Sequence, residues 1–143
     1  MISCHASSVE IEGRGVLLRG PSGAGKSDLA LRLVDGGGTL ISDDYTDITF
    51  RHGCAFLSPP ENIAGRIEVR GLGLMSLAYV HDIPLALVFD LVSYEEIERA
   101  PTAEVVTFDG IDIPRRDLDP FMASAVAIVR LALKQSPLMT GYE

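Results

Sequence analysis

One eight-residue stretch constrains the fold of this chain more than any other. It runs from Gly20 to Ser27 and fits the pattern G-x-x-x-x-G-K-[ST]. Residues 14–19 before it have the apolar centre of a strand, and residues 27–34 after it carry apolar side chains at helical spacing. Because both flanks suit the motif, the sequence predicts a phosphate-binding P-loop inside an α/β fold.

The residue types in this loop explain how it would bind phosphate. Its glycines permit backbone conformations that a side chain would block, so that N–H groups can converge on an anion. The helix that follows adds its unpaired N–H groups and its dipole at the same point. Lysine would supply positive charge, and the final serine a hydroxyl for Mg²⁺. The predicted triphosphate-binding residues are Gly20, Pro21, Ser22, Gly23, Ala24, Gly25, Lys26 and Ser27.

Length and composition narrow the class of protein. The 143 residues suit a single domain, which we predict to span residues 1–143. A net charge of −8 without a basic run argues against nucleic acid as a partner. Cys4 and Cys54 lack the spacing of a metal site, and we see neither a signal peptide nor an apolar stretch long enough for a membrane. We therefore expect a cytoplasmic protein.

Two predicted strands end in carboxylates that could act on a bound phosphate. Residues 39–44 indicate a short buried strand that finishes at Asp43 and Asp44. Residues 83–90 form a longer apolar run that ends at Asp90 and resembles a Walker B strand. Because ligands collect at the carboxyl ends of strands in open α/β sheets, Asp44 and Asp90 compete for this role.

Other charged residues leave two interpretations open. Glu68 and Arg70 lie two residues apart in a segment of alternating character, so a strand would place them on one face. They could be a surface charge pair, or a metal ligand beside an arginine that faces phosphate. His5, just before the first predicted strand, could be a solvated surface residue or part of a site.

The remaining elements follow from local patterns. A hairpin is predicted around Asp109-Gly110, a loop over 114–120, and a final helix over 121–134 that belongs to the core or packs against another subunit. Further strands are predicted at 9–12, 45–52 and 54–57, and short helical or irregular segments at 62–66 and 94–99.

With these motifs in view, the chain resembles the HPr kinase/phosphorylase family. Three segments carry the likeness: the P-loop continued by Ser-Asp-Leu-Ala-Leu, Ile-Ser-Asp-Asp at 41–44, and Ile-Glu-Val-Arg-Gly-Leu-Gly at 67–73. The likeness covers nearly the whole chain as a catalytic domain, without the separate N-terminal domain of longer members. It implies a P-loop mixed sheet with flanking helices, related to the phosphoenolpyruvate carboxykinase core, and assembly into a hexamer.

The resemblance also implies a role for each matching residue. His5, Lys26, Asp44 and Arg99 match catalytic positions, with Asp44 as the proton acceptor. Ser27 and Glu68 match magnesium ligands. The residues expected to support the site are Asp43, Arg70, Arg115 and Arg116.

The implied activity is ATP- and Mg²⁺-dependent phosphorylation of a serine on HPr, the phosphocarrier of the sugar phosphotransferase system. Where the family has a segment like Pro-Val-x-Pro-Gly-Arg-Asn, linked to dephosphorylation, this chain has a different sequence at 113–120. We therefore expect the reverse, phosphate-dependent phosphorylase reaction to be weak. Two other functions fit the P-loop: a small-molecule kinase, and a nucleotide-binding regulatory module without transfer chemistry.

Overall fold

A computed structural model describes residues 1–135 of the chain. Within that range, the strands form one nine-stranded sheet and a separate two-stranded sheet, flanked by two α-helices and two short 3₁₀ segments. In chain order the elements are β1 (Ile2–Cys4), β2 (Ala6–Ile11), β3 (Arg14–Arg19), α1 (Lys26–Asp35), β4 (Thr39–Ser42), β5 (Thr46–Arg51), β6 (Cys54–Ser58), a 3₁₀ turn (Glu61–Ile63), β7 (Arg66–Val69), β8 (Gly73–Ser76), β9 (Ile83–Leu91), a 3₁₀ turn (Tyr94–Glu96), β10 (Glu104–Phe108), β11 (Ile111–Leu118) and α2 (Ala125–Gln135).

Strand β9 organises the large sheet. It pairs in parallel with β3 along one edge. Along its other edge it pairs first with β6, antiparallel, and then with β11, in parallel. The order of the main path is β1-β5-β6-β9-β3-β2-β4, and the β10–β11 hairpin joins beside the second half of β9. Most of β9 is buried, as expected for a nearly continuous apolar run in a parallel environment.

Side chains of the sheet alternate between two cores, one on each face. On β3, for example, Leu18 packs into the core beneath the helices, and Leu17 packs into the core on the opposite face. Helix α1 contributes Leu29 and Leu33 to the first core, and α2 contributes Ala125, Val129 and Leu133. Both helices therefore cover one face of the sheet.

The strand–loop–helix unit predicted around the glycine-rich motif is confirmed, as is the α/β class. Two predictions nearer the C-terminus are wrong. Residues 114–118 belong to β11 and not to a loop, because they pair with β9 and β10 despite their polar composition. The final helix begins at Ala125, four residues later than predicted, after a turn that follows Pro120.

The β7–β8 hairpin stands apart from the large sheet and packs against α1. Ile67 anchors it by burying its side chain in the core beneath the helices. The neighbouring Glu68 is exposed, and Arg70 lies in the turn between the two strands rather than within a strand. The hairpin thus holds two charged side chains beside the N-terminal part of α1.

Candidate active site

The loop between β3 and α1 is shaped by its last glycine. Gly25 has φ = +98° and is the N-terminal cap residue of α1, without a side chain that caps the helix. A Cβ at this position would lie only 3.0 Å from Phe121 Cζ and from Pro120 Cγ. Because the first backbone N–H groups of a helix have no partner within the helix, they are available to an anion here.

Lys26 is almost completely buried and lies across the loop. Its Nζ donates to the carbonyl oxygen of Gly20 at 2.6 Å and to that of Pro21 at 3.1 Å. These contacts fix the ammonium group at the inner wall of the loop. A phosphate bound to the loop would therefore meet a positive charge that is already positioned.

Asp43 links the loop to the end of β4. Its side chain is buried and its Oδ1 accepts hydrogen bonds from Ser27 Oγ at 2.6 Å and from Ser7 Oγ at 2.8 Å. Because the Ser27 hydroxyl donates its proton to Asp43, the lone pairs of its oxygen remain free for a cation. Asp43 is thus the carboxylate that faces the loop serine.

Asp44 points away from that contact and towards solvent. Its Oδ1 lies 3.1 Å from Nε2 of His5, and the two side chains are 65% and 38% exposed. The His5 ring stacks on Tyr45, with centroids 4.9 Å apart. β2 is antiparallel to β4, with Ser8 opposite Ser42, so the residues just before β2 lie beside the residues just after β4. This register explains how residue 5 reaches residue 44.

A cavity of about 650 Å³ connects the loop to these groups. Its size is typical of small-molecule sites. Loop residues form one wall, and the β7–β8 hairpin, Asp44 and an aromatic ring form the others. The lining residues are Ser22, Gly23, Gly25, Lys26, Ser27, Asp28, Leu31, Asp44, Glu68, Val69, Arg70 and Phe121.

The oxygen groups around this cavity fit a hard divalent cation. Within residues 1–135, no group of three or more histidine, cysteine, aspartate or glutamate side chains is close enough to hold a metal alone. Mg²⁺ does not require such a cage, because it keeps several waters and takes its other ligands from one or two carboxylates and substrate phosphates. Ser27 and Glu68 both line the cavity, with Asp43 behind the serine.

Asp90 lies outside this cavity, in a cluster of opposite charges. Arg19 donates to both of its carboxylate oxygens at 2.7 and 3.0 Å, and Arg115 donates at 2.7 Å. Arg115 also contacts Asp117 and Glu104. We call these five residues the Asp90 cluster. Partial burial raises the pKa of Asp90, but the hydrogen bonds and charges of both arginines outweigh burial and hold that pKa below its ordinary value.

The structure brings some of the predicted site residues together and leaves others apart. The cavity gathers residues of the loop with Asp44, Glu68 and Arg70, and His5 joins it through Asp44. Arg99 is an exposed residue outside the lining, after the second 3₁₀ turn. Arg115 and Arg116 also lie outside the lining, on β11.

Two residues that sequence reasoning missed contribute to the site. Ser7 is fully buried and bonds both Asp43, through its side chain, and the backbone N–H of Asp44. The sequence carries no clear signal for it, because Ser7 precedes the strand predicted at 9–12 and β2 also contains the polar residues Ser8 and Glu10. Phe121 lines the cavity although it is 70% exposed, and it resembled the first residue of a buried helix.

Comparison with known proteins agrees with this architecture. The family model described as "HPr Serine kinase C-terminal domain" matches residues 1–86. An HPr kinase/phosphorylase from Clostridium botulinum (strain Eklund 17B / Type B) is 37% identical over 83 residues, which are 58% of this chain and 27% of the relative. One from Streptococcus thermophilus (strain ATCC BAA-491 / LMD-9) is 30% identical over 125 residues, which are 79% of this chain and 40% of the relative.

A solved structure shares the fold over almost the whole chain. It is described as the Hpr(Ser) kinase/phosphatase from Coxiella burnetii and superposes with a TM-score of 0.83, at 24% identity, over 94% of this chain and 95% of that one. The mixed sheet with two flanking helices is therefore an HPr kinase type of fold. The chain belongs to the family of HPr serine kinase C-terminal domains.

Two further facts concern the length of the chain and its helices. The chain spans only 27% and 40% of the length of the two curated relatives described above. Among residues 1–135, no helix is both long enough and apolar enough to cross a membrane.

Proposed function

We propose that this chain is an ATP-dependent protein serine kinase that phosphorylates HPr. The observation that carries the proposal is the His5–Asp44 pair at the mouth of a cavity whose inner wall is the loop with Lys26. A serine hydroxyl is a poor nucleophile at neutral pH, and a carboxylate beside the phosphate can accept the hydroxyl proton as a general base. Family membership supports a nucleotide as the phosphoryl donor.

In the proposed reaction, the hydroxyl oxygen of the acceptor serine attacks the γ-phosphorus of ATP. A bond forms between that oxygen and phosphorus, the bond from phosphorus to the bridging oxygen of ADP breaks, and the proton goes to a carboxylate oxygen of Asp44. His5 holds the other side of this carboxylate in place through the 3.1 Å contact. The helix N-terminus and Lys26 hold the phosphate oxygens, which gain negative charge on the leaving side.

Mg²⁺ would be held by Ser27 and Glu68 and would neutralise charge on the β- and γ-phosphates. Asp43 orients the Ser27 hydroxyl for this purpose, because it already accepts that group's proton at 2.6 Å. Arg70 lines the same cavity and supports phosphate binding from the hairpin side. Arg99 remains a proposed catalytic residue on resemblance alone.

A protein acceptor suits the openness of the site. The side chain of Asp44 is 65% exposed, and a small acceptor in such a place would leave the reacting phosphate in contact with water. A folded partner could cover the mouth while presenting its serine. The names of the curated relatives support HPr as this partner, and the net charge of −8 argues against nucleic acid.

Assembly into a hexamer is part of the proposal by family resemblance. Helix α2 is compatible with a subunit contact, since Leu131 is 59% exposed and Ile128 is 36% exposed on a helix that otherwise packs on the core. Light scattering of the purified protein at several concentrations would measure the mass of the particle. A stable monomer would contradict this part and leave the kinase proposal standing.

The central experiment is a transfer assay. The protein is incubated with γ-labelled ATP, Mg²⁺ and HPr, and the label is followed on gels. We expect labelled HPr, and no label on an HPr variant whose acceptor serine is replaced by alanine. ATP binding without labelled HPr would overturn the proposal.

A further inference from the structure

The cavity has an apolar part that the transfer chemistry does not use. It is formed by Leu31 of α1, Val69 of β7 and the ring of Phe121. Phe121 differs from the other two because its large apolar side chain is 70% exposed. An exposed ring at the wall of a ligand cavity is a candidate contact surface for a flat ligand group.

The order of the strands places Phe121 on the opposite side of the loop from Asp44. The loop follows β3. Asp44 follows β4, which is two strands away in one direction, through β2. Phe121 follows β11, which is two strands away in the other direction, through β9. A triphosphate lying on the loop with its γ-end at Asp44 therefore extends its nucleoside end towards Phe121.

The position of the ring is fixed by its neighbours. Its Cζ lies 3.0 Å from where a Cβ of Gly25 would be, so the ring sits directly on the loop. The backbone N–H of Phe121 donates to Asp119 Oδ1 at 2.9 Å, and Arg32 of α1 donates to the carbonyl oxygen of Pro120. A surface that is already ordered loses little conformational entropy when a ligand binds to it.

We propose that Phe121 is the residue on which the base of the nucleotide stacks. The inference rests on the proposed kinase function and adds a nucleoside subsite to it. A phenyl ring has no hydrogen-bonding groups, so it recognises the face of a purine or pyrimidine and not its edge pattern. The triphosphate would then run from this ring across the loop to Asp44.

The test uses the absence of tryptophan from the chain. In a Phe121→Trp variant, the indole is the single tryptophan and reports directly on stacking. Tyr94→Trp is the matched control, because Tyr94 is also exposed, at 60%, but does not line the cavity. We expect ATP to quench the fluorescence of Phe121→Trp and not that of Tyr94→Trp. Tripolyphosphate, which has no base, should quench neither.

Calorimetric titration then separates stacking from support of the loop. Phe121→Ala should weaken ATP binding roughly 3- to 10-fold and leave tripolyphosphate binding unchanged. Phe121→Leu, which keeps an apolar contact with Gly25, should lose ATP affinity in the same way. Thermal unfolding confirms that both variants fold.

Each other result overturns the proposal in a recognisable way. Unchanged ATP affinity in Phe121→Ala, or quenching of both tryptophan variants alike, would show that the base lies elsewhere. Equal losses for ATP and tripolyphosphate would assign the ring to loop support only. If the unaltered chain bound neither ligand, the kinase proposal itself would fail, and the nucleoside subsite with it.

Discussion

Two carboxylates end strands on either side of β3, yet their surroundings differ sharply. Asp44 follows β4 and is 65% exposed, and within residues 1–135 its side-chain partner is His5, which carries a charge only when protonated. Asp90 is the last residue but one of β9, is 25% exposed and is held by Arg19 and Arg115. The first carboxylate faces the cavity, and the second is neutralised within the Asp90 cluster. We refer to His5 and Asp44 as the open pair.

The contrast teaches that a carboxylate at a strand end is not by itself a catalytic group. Both aspartates satisfy the sequence pattern, because both end buried strands near a phosphate loop. The difference comes from neighbours on other strands. β3 and β11 flank the end of β9 and bring two arginines to Asp90, whereas β4 is the outer strand of its side and leaves Asp44 open.

The sharpest test of the contrast removes the charge of the open pair. Asp44→Asn keeps the size of the side chain and removes the proton acceptor, so the rate of HPr phosphorylation should fall roughly 10²- to 10⁴-fold. ATP affinity should stay close to that of the unaltered protein. Initial rates and equilibrium titration measure the two quantities. A variant that transfers phosphate at the normal rate would remove Asp44 from the mechanism.

Lys26→Ala tests whether the loop beside the open pair binds phosphate. Losing the buried ammonium should lower the transfer rate about 10²- to 10³-fold, because transition-state charge would be left without its partner. Lys26 also donates hydrogen bonds to the carbonyl oxygens of Gly20 and Pro21, so the free energy of unfolding should fall by about 1–2 kcal/mol. Denaturant titration checks that the variant is still folded. Activity at the normal level would contradict the proposal that this loop binds the phosphates of ATP.

The reverse reaction tests whether the arginines of the Asp90 cluster can leave their ion pairs and bind phosphate. Phosphorolysis of seryl-phosphorylated HPr needs guanidinium groups that can bind inorganic phosphate. Arg115 is engaged with Asp90, Asp117 and Glu104, so we expect pyrophosphate release at least about 10-fold slower than the forward reaction. The assay mixes seryl-phosphorylated HPr, Mg²⁺ and millimolar phosphate. Comparable rates in both directions would mean that these ion pairs do not restrain the reverse reaction.

Glu68→Gln separates metal binding from surface charge near the open pair. If Glu68 is a ligand, the Mg²⁺ concentration for half-maximal activity should rise about 10-fold. Because Glu68 is exposed, the free energy of unfolding should change by less than about 1 kcal/mol. Magnesium titrations of activity decide between the roles. An unchanged magnesium requirement would favour the surface-charge interpretation.

Asp90→Asn should have the smallest effect on activity, within about threefold, but should cost about 2 kcal/mol of stability as the arginines lose their partner. The pKa of Asp90 is lower folded than its ordinary value of 3.8, so its stabilisation is present above that value and is lost as pH falls through the folded pKa. As the pH falls below about 3.8, the variant should therefore lose less stability than the unaltered protein. Acid titrations monitored by circular dichroism measure this, and parallel curves would contradict it.

Local patterns predicted the parts of the fold that depend on neighbours in sequence. The loop motif, β3 and α1 follow from glycine spacing and apolar periodicity, and the Asp109-Gly110 turn follows from hairpin chemistry. Residues 114–118 were missed because their strand character comes from pairing with β9 and β10, which cannot be predicted from their polar side chains.

The site was predictable as a set of residue types but not as an arrangement. Local patterns could not separate Asp43 from Asp44, which only the family resemblance distinguished, since the two differ in which way each side chain turns after β4. Their partners Ser7 and His5 lie 36 and 39 residues away. Likewise, Phe121 lines the cavity because it lies in the turn between β11 and α2. The apolar pattern of residues 121–134 had instead predicted that it begins the final helix.

The dual pairing of β9 has a consequence for how the chain folds. Without β9, the large sheet separates into β1-β5-β6, β3-β2-β4 and the β10–β11 hairpin, since β9 is the strand that joins all three. Arg19 and Asp90 form a hydrogen bond although they lie 71 residues apart in the sequence. The chain must therefore lose the conformational entropy of that loop before the sheet can form. During synthesis, the strands that precede residue 83 would therefore keep unpaired edges until β9 is made. Residues 83–91 would join these two groups of strands as they emerge, and the β10–β11 hairpin and α2 would complete the fold afterwards.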